Sequence, residues 1–231
     1  KQAPGFIKCL GPEFELSARR AVFESEVMRE YQKLAPEHSP RHLLLDEARC
    51  VMVLQYLDGY VLLRDALLAG SVSARVAADL GTFMGETHRR THAALLAEWE
   101  SGTLAQRFQN ETMCGITAEY VFTKPLLADD PTNRCSAALA PYARAMRADA
   151  ELSAAMLELR TAFCTRRECL VHGDLHTGSV MVPAAAASDA PAVVIDAEFA
   201  FYGPAAFDVG VLLANLLFAA LAHAMRPTVQ A

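Results

Sequence analysis

The sequence lacks any dense basic tract, because its basic residues cluster only as the pairs Arg19-Arg20, Arg89-Arg90 and Arg166-Arg167. The 231 residues carry a net charge of −6. A protein that follows nucleic-acid phosphates normally presents a basic face, and so does a surface that docks on anionic lipid. The sequence therefore argues against nucleic acid and against a membrane surface as partners.

The sequence also lacks a C-x-x-C pair. Its cysteines are scattered over the chain, at Cys9, Cys50, Cys114, Cys135, Cys164 and Cys169. Structural zinc sites usually draw on closely spaced ligands, and an even cysteine count is a poor argument for disulfides in a chain this large. We interpret the cysteines as mostly buried thiols in a reducing compartment.

No apolar run reaches the roughly 20 residues that a membrane span needs. The most apolar stretch, 209–225, is interrupted by Asn215 and His223 and follows Asp208, and we expect it to be a buried core helix. The first residues have no apolar segment typical of a signal peptide. These features predict a cytoplasmic protein.

A hydrophobic fraction of 53% and a charged fraction of 21% are typical of a globular chain. Periodicity and turn residues predict helices at 16–35, 61–69, 72–99, 103–121, 136–164 and 207–225, and strands at 42–45, 49–57, 169–172, 179–182 and 192–196. The fold class is therefore α+β. We expect a small region, 1–57, and a mostly helical region, 58–231, that carries β-hairpins.

The segment LVHGDLHTGSVMV is the most informative part of the sequence. An apolar strand leads into His172, Gly173 and Asp174, and a second strand follows a short polar loop. Glycine allows a sharp backbone turn, and a loop anchored at both ends holds its carboxylate firmly. This arrangement suits Asp174 to the role of a general base.

The segment VVIDAEFAFYG places Asp196 and Glu198 at the end of another apolar strand. In extended backbone, residues i and i+2 face the same side, so the two carboxylates should converge. Mg²⁺ is commonly bound by one or two carboxylates together with substrate phosphates. A base beside such a pair indicates phosphoryl transfer; the alternative is that these acids only cap hairpins.

The two segments together resemble the methylthioribose kinases, which belong to the protein-kinase-like superfamily with aminoglycoside and choline kinases. HGDLHTGS and IDAEFAFYGPAAFD occur in order, and the first residues, KQAPGFIKCLGPEF, resemble the stretch that begins at the ATP-contacting lysine of that family. The resemblance covers essentially the whole chain and is weakest over 60–165. It implies a two-lobed kinase fold that uses ATP and Mg²⁺.

The resemblance also implies roles for individual residues. Asp174 would be the catalytic base and bind the substrate hydroxyl, and Asp196 and Glu198 would hold the metal. The expected ATP-binding residues are Lys1, Glu24, Gln55, Tyr56, Leu57, Asp196, Ala197 and Glu198. Glu24 would pair with Lys1, and residues 55–57 would form the hinge that reads adenine through backbone atoms. His172, Ser179 and Asp208 would support the catalytic loop.

Three positions bear on this assignment. Ala197 stands where the family commonly has proline, and Gln55-Tyr56 replaces a usual acidic pair. We expect both changes to have small effects. Ser179 occupies the place where protein kinases have asparagine, but the methylthioribose kinase pattern itself has serine there.

The family phosphorylates the 1-hydroxyl of 5-methylthioribose in methionine salvage, so a small sugar is the expected substrate. Because the family commonly forms dimers, the resemblance also implies a homodimer. Two alternatives stay open: another small-molecule kinase acting on choline, homoserine or an aminoglycoside, and a degenerate nucleotide-binding protein without activity. The chain starts at Lys1 and not at methionine. We expect a glycine-rich hairpin upstream of Lys1, further substrate contacts downstream, and little or no activity from this fragment alone.

His88 and His92 lie four residues apart on a predicted helix, a spacing that allows shared metal binding. No third ligand is evident nearby, and the adjacent pair Arg89-Arg90 would repel a cation. A solvated helix face is the favoured interpretation.

Overall fold

The computed structural model describes residues 1–6, 11–186 and 188–225. Its order of helices and small antiparallel sheets is that of an α+β, kinase-like fold, as the sequence predicts. Cys9 and part of the stretch 7–14 that contributes to the resemblance lie outside the described residues.

The N-terminal region is a helix packed beside a hairpin. Helix α1 spans Arg20–Leu34, and strands β1 (His42–Asp46) and β2 (Val51–Leu54) pair antiparallel. Gln2 forms an antiparallel bridge with Val51, so the chain start lies along the edge of β2. The predicted helix and hairpin are confirmed.

The helical region is divided more finely than the sequence predicts. Its helices are α2 (Leu63–Ala69), α3 (Arg75–Thr91), α4 (Glu98–Arg107), α5 (Glu111–Tyr120), α6 (Ala140–Ala148), α7 (Ala150–Thr165) and α8 (Ala205–Ala224). The predicted helix 72–99 ends early because His92 adopts extended backbone (ψ 127°). The predicted helix 136–164 is two helices, since the Asp149 side chain accepts hydrogen bonds from the backbone N–H groups of Glu151 and Leu152 and so caps α7.

Five short strands lie around the segments that carry Asp174 and Asp196. They are β3 (Tyr60–Leu62), β4 (Cys169–Val171), β5 (Val180–Pro183), β6 (Val193–Val194) and β7 (Phe201–Gly203). One sheet has the order β3-β5-β6 and another pairs β4 with β7, all antiparallel. The sequence predicts β4, β5 and β6 but misses β3 and β7, and residues 61–62 of β3 fall within the predicted helix 61–69.

A single cluster of buried side chains connects α1 to the helical region. Val27 and Met28 of α1 belong to the same cluster as Phe83 of α3, Leu170 of β4 and Val180 of β5. The predicted boundary between residues 57 and 58 therefore crosses a shared core, and the division into two lobes stays a prediction.

Helix α8 does not match its prediction. It is the described helix that is long and apolar enough to cross a membrane by length and composition, which alone is weak evidence of a span. We expected a buried core helix, but only Asp208 and Leu212 of its 20 residues are buried. Leu217 and Phe218 are 57% and 66% exposed. The interpretation of α8 as a core helix is wrong for the described residues.

The cysteines are also more exposed than expected. Cys169 is buried, Cys50 and Cys114 are half-buried, and Cys135 and Cys164 are exposed; all five are free thiols. The interpretation as mostly buried thiols is therefore wrong for the described cysteines.

Candidate active site

The loop that carries Asp174 is fixed by its backbone. Gly173 has φ +77°, and a Cβ added there would lie 2.1 Å from the carbonyl oxygen of Phe199. Only glycine meets both demands. The backbone N–H groups of His172 and Gly173 donate to the carboxylate of Asp208, at 2.7 and 2.9 Å. The turn before Asp174 is thus held from two sides.

Asp208 is completely buried at the first turn of α8. Its third partner is His88 of α3, whose Nε2 donates to Oδ2 at 3.0 Å. The expectation of a solvated face for His88 is wrong, because the side chain supplies a donor to a buried carboxylate that needs several. The sequence gives no local sign of this contact, since the two residues lie 120 positions apart.

Asp196 and Glu198 converge by a different route from the one predicted. Asp196 has left-handed backbone, φ +66° and ψ 49°, and residues Ala197–Phe199 form a 3₁₀ turn. The prediction that these residues are in extended backbone is therefore wrong, but the predicted convergence of the two carboxylates is observed. One carboxylate oxygen from each of Glu24, Asp196 and Glu198 lies within 4.8 Å of the others.

Hydrogen bonds join the Asp174 loop to the segment that carries this turn. The ring of His172 donates from Nε2 to the carbonyl of Ile195 at 2.9 Å, and its Nδ1 accepts from the backbone N–H of Asp174 at 3.3 Å. The N–H of Ile195 in turn donates to the carbonyl of buried Ser179 at 2.9 Å. His172 and Ser179 thus both connect the Asp174 loop to Ile195, the residue before Asp196.

Asn110, just before α5, holds the other side of the turn. Its Nδ2 donates to the carbonyls of Glu198 and Ala200, both at 2.9 Å. The sequence analysis does not find this residue, because nothing in its local sequence distinguishes it from an ordinary helix N-cap asparagine.

Lys1 links α1 to residues 196–199, the turn that carries Asp196 and Glu198 and is called the acidic turn below. Its Nζ lies 2.8 Å from the Glu24 carboxylate and also contacts Asp196. Burial lowers the pKa of Lys1, but the charges of Glu24 and Asp196 and the hydrogen bonds to them outweigh burial, so the pKa of Lys1 is raised. Burial raises the pKa of Glu24 to about 7 against the opposing effect of Lys1. The geometry matches the lysine–acid pair that the resemblance implies.

Asp174 is half-buried beside these groups. Burial raises the pKa of its carboxyl group, and the Asp196 and Asp208 charges act in the same direction, while His176 and His172 oppose the increase. His176 Nε2 lies 3.5 Å from Asp174 Oδ2. Asp174 is therefore close enough to Asp196 for their charges to interact, in a setting that favours proton uptake.

The predicted hinge follows β2. The Gln55 N–H donates to the carbonyl of Arg41 at 2.8 Å, and the Gln55 side chain accepts from the Arg41 N–H at 3.3 Å. Tyr56 is 85% exposed and Leu57 half-buried. These three residues connect the hairpin to β3, the position that a hinge between the two regions would occupy.

The donor set at the acidic turn fits a hard cation. Glu24, Asp196 and Glu198 offer only carboxylate oxygens, which Mg²⁺ prefers over nitrogen or sulfur ligands. Asp196 is about half exposed and Glu198 about one fifth exposed. Glu24 is buried, whereas Asp196 and Glu198 are partly exposed, so these two carboxylates are the ones that a metal–phosphate complex could reach.

The chain resembles known kinases over nearly all its length. It is 35% identical to the methylthioribose kinase of Geobacillus kaustophilus over 223 residues, which are 96% of this chain and 55% of that protein. The methylthioribose kinase of Pectobacterium atrosepticum is 34% identical over 94% of the chain and 53% of its own length. Methylthioribose kinase 1 of Oryza sativa subsp. japonica is 35% identical over 95% and 50%.

The chain thus spans about half the length of the curated relatives that it matches. A family model described as the phosphotransferase enzyme family matches residues 12–231, a range that includes the Asp174 loop, the acidic turn and Asp208. The chain belongs to the phosphotransferase enzyme family.

Proposed function

We propose that this chain carries the catalytic centre of an ATP- and Mg²⁺-dependent kinase that phosphorylates the 1-hydroxyl of 5-methylthioribose in methionine salvage. The observation that carries the proposal is the convergence of three carboxylates, from Glu24, Asp196 and Glu198, beside Lys1 and Asp174. The names of the relatives support the choice of substrate. A cytoplasmic location and a homodimer stay predictions.

Asp174 would act on the acceptor sugar. A carboxylate within hydrogen-bond reach of the attacking hydroxyl orients it and accepts its proton as the phosphoryl group transfers. The Asp208 contacts to the turn before Asp174 hold that carboxylate in place. His176 Nδ1 accepts from the Gly178 N–H, so the ring nitrogen that faces Asp174 Oδ2 at 3.5 Å, Nε2, carries the hydrogen and would stabilise the carboxylate.

Asp196 and Glu198 would hold Mg²⁺, and Lys1 would reach the ATP phosphates. The bound metal would neutralise charge on the triphosphate during transfer. The contribution of the chain is to bring the acids together through the left-handed backbone of Asp196. Glu24 keeps the Lys1 ammonium at that turn, where it would meet the phosphates.

The proposal is tested by replacing Asp174 with Asn in the full-length protein. We expect phosphoryl transfer to fall by at least about 10³-fold, since positioning and base catalysis are both lost, while ATP binding stays within a few-fold of wild type. The matched control is Asp65→Asn, an exposed aspartate of α2 paired only with its neighbour Arg64 within the described contacts. Unchanged transfer by D174N would overturn the role of Asp174 as the base, whereas ATP binding without any transfer by the wild-type protein would favour a non-catalytic homologue.

The substrate is tested with methylthioribose, choline and kanamycin as acceptors. Transfer to methylthioribose with the largest kcat/KM supports the proposal. Preference for choline or kanamycin would keep the chain in its family but overturn the sugar assignment.

A further inference from the structure

Arg20, the first residue of α1, binds a carboxylate of the acidic turn. Its Nε donates to Glu198 Oε2 at 3.0 Å. The two side chains are only 9% and 21% exposed. A guanidinium–carboxylate contact of this length, largely shielded from water, is stronger than an ordinary surface pair.

The same guanidinium is anchored to the backbone on its other side. Nη1 lies 2.7 Å from the carbonyl of Pro4, 3.2 Å from that of Leu16 and 3.1 Å from that of Ser17. Pro4 is three residues from Lys1. Arg20 thus connects the segment that carries Lys1, the start of α1 and the acidic turn.

The helix aligns Arg20 with Glu24. Residues four apart lie on the same helix face, so α1 presents a cation to Glu198 and, one turn later, an acid to Lys1. Among the described residues, the side chain that forms an ion pair and a hydrogen bond with the Glu198 carboxylate is that of Arg20.

We propose that Arg20 is a positioning residue for the metal site, an inference that rests on the proposed function. By engaging Oε2 of Glu198, Arg20 would leave Oε1 for a metal and restrain the carboxylate from rotating into water. It would also offset repulsion among the three carboxylates that lie within 4.8 Å of one another.

Two effects of Arg20 on a cation oppose each other. Its positive charge repels the metal, whereas its hydrogen bond fixes a ligand. Residues that hydrogen-bond to a metal ligand and orient it commonly increase the affinity for the metal about 10- to 100-fold. The Arg20 charge is delocalised, and its guanidinium already donates to three backbone carbonyls. We therefore expect the gain in metal affinity from orienting Glu198 to outweigh the loss from charge repulsion.

The test is the affinity of Mn²⁺, measured by electron paramagnetic resonance with the full-length protein and a non-hydrolysable ATP analogue. Arg20→Ala should weaken Mn²⁺ binding about 10- to 100-fold, while the affinity for the analogue in EDTA changes far less. Arg20→Lys, which keeps the charge but loses the planar fork, should restore part of the loss. In the transfer assay, Arg20→Ala should raise the Mg²⁺ concentration required for half-maximal rate more than it lowers kcat at saturating Mg²⁺.

The matched control is Arg19→Ala, because Arg19 is the adjacent residue and pairs on the surface with Glu47. Its Mn²⁺ affinity should equal that of wild type. Circular dichroism verifies folding, and Arg20→Gln replaces Arg20→Ala if the latter does not fold. Unchanged or tighter Mn²⁺ binding in the Arg20 variants overturns this inference alone. Failure of the wild-type protein to bind Mn²⁺ with the analogue overturns both the inference and the proposed function.

Discussion

Helices α1 and α8 differ in a way that their composition does not predict. Helix α1 has the sequence RAVFESEVMREYQKL, in which eight residues are charged or polar when the tyrosine is not counted. Even so, eight of its 15 residues are buried, Glu24 and Ser25 among them. Helix α8 is almost entirely apolar, yet only two of its 20 residues are buried. Burial here follows the presence of tertiary partners and not the hydrophobicity of a helix.

The one fully buried acid of α8 explains part of this contrast. Asp208 is fixed by three donors from α3 and the Asp174 loop, so its end of α8 is anchored by polar contacts. Further along, Leu213, Leu217 and Leu221 are 50–58% exposed. A cavity of about 510 Å³ lies between α7 and the first half of α8, lined mainly by apolar side chains. The polar contacts of Asp208 fix the Asp174 loop, whereas the exposed apolar residues of α8 make no contact with that loop among the described contacts.

The largest expected effect comes from Asp208→Ala. It leaves two buried backbone N–H groups and His88 without their acceptor, and we expect the free energy of unfolding to fall by about 3–5 kcal/mol. Urea denaturation measures the loss. The control Asp65→Ala, on an exposed face, should change stability by less than about 0.5 kcal/mol. Equal effects of the two variants would contradict the contrast between anchored and exposed positions.

Replacing Gly173 or Gly210 with alanine should change the free energy of unfolding in opposite directions. Gly173→Ala forces φ +77° on a residue with a Cβ and brings that atom to 2.1 Å from Phe199 O, so the free energy of unfolding should fall by at least about 1–3 kcal/mol. At Gly210 of α8 an added Cβ meets nothing within 4 Å, so Gly210→Ala should stabilise the helix by up to about 1 kcal/mol. Thermal unfolding of both variants tests the pair, and a shift of the same sign in both would argue against it.

Two leucines of α8 have the same side chain but differ in burial, so their replacement tests the effect of burial alone. Leu212 is 5% exposed and Leu217 57% exposed. Leu212→Ala should lower the free energy of unfolding by about 2–4 kcal/mol, whereas Leu217→Ala should change it by less than about 0.5 kcal/mol. Urea denaturation of each variant measures the difference. Comparable losses would mean that the exposed face of α8 is covered in solution.

The smallest effect concerns the pH dependence of Asp174. Its pKa is raised in the folded chain, so its stabilising contribution is complete below the unfolded pKa of about 4 and is lost as the pH rises through the folded value. Asn stays neutral throughout, so the Tm of Asp174→Asn relative to wild type should rise by about 1–2 °C as the pH increases from about 4 to about 7. Calorimetry at both pH values measures it. A relative decrease would mean that ionised Asp174 is favoured by the fold.

The sequence predicts α1, the β1–β2 hairpin and strands β4, β5 and β6 because apolar periodicity and turn residues are local signals. It also singles out Asp174, Asp196 and Glu198 from their strand contexts. It misses Arg20, His88 and Asn110, whose partners lie 178, 120 and 88 residues away. Contacts at such separations leave no trace in one local segment.

The sequence by itself determined the α+β class of fold, because the order of helical and strand patterns carries that information, and it singled out the acids that we propose for phosphoryl transfer. Only the tertiary structure decided how those acids meet. The left-handed backbone of Asp196 and the buried carboxylate of Asp208 depend on neighbours brought together by folding. The exposure of α8 was likewise decided in three dimensions, since an apolar helix is buried only where another surface covers it.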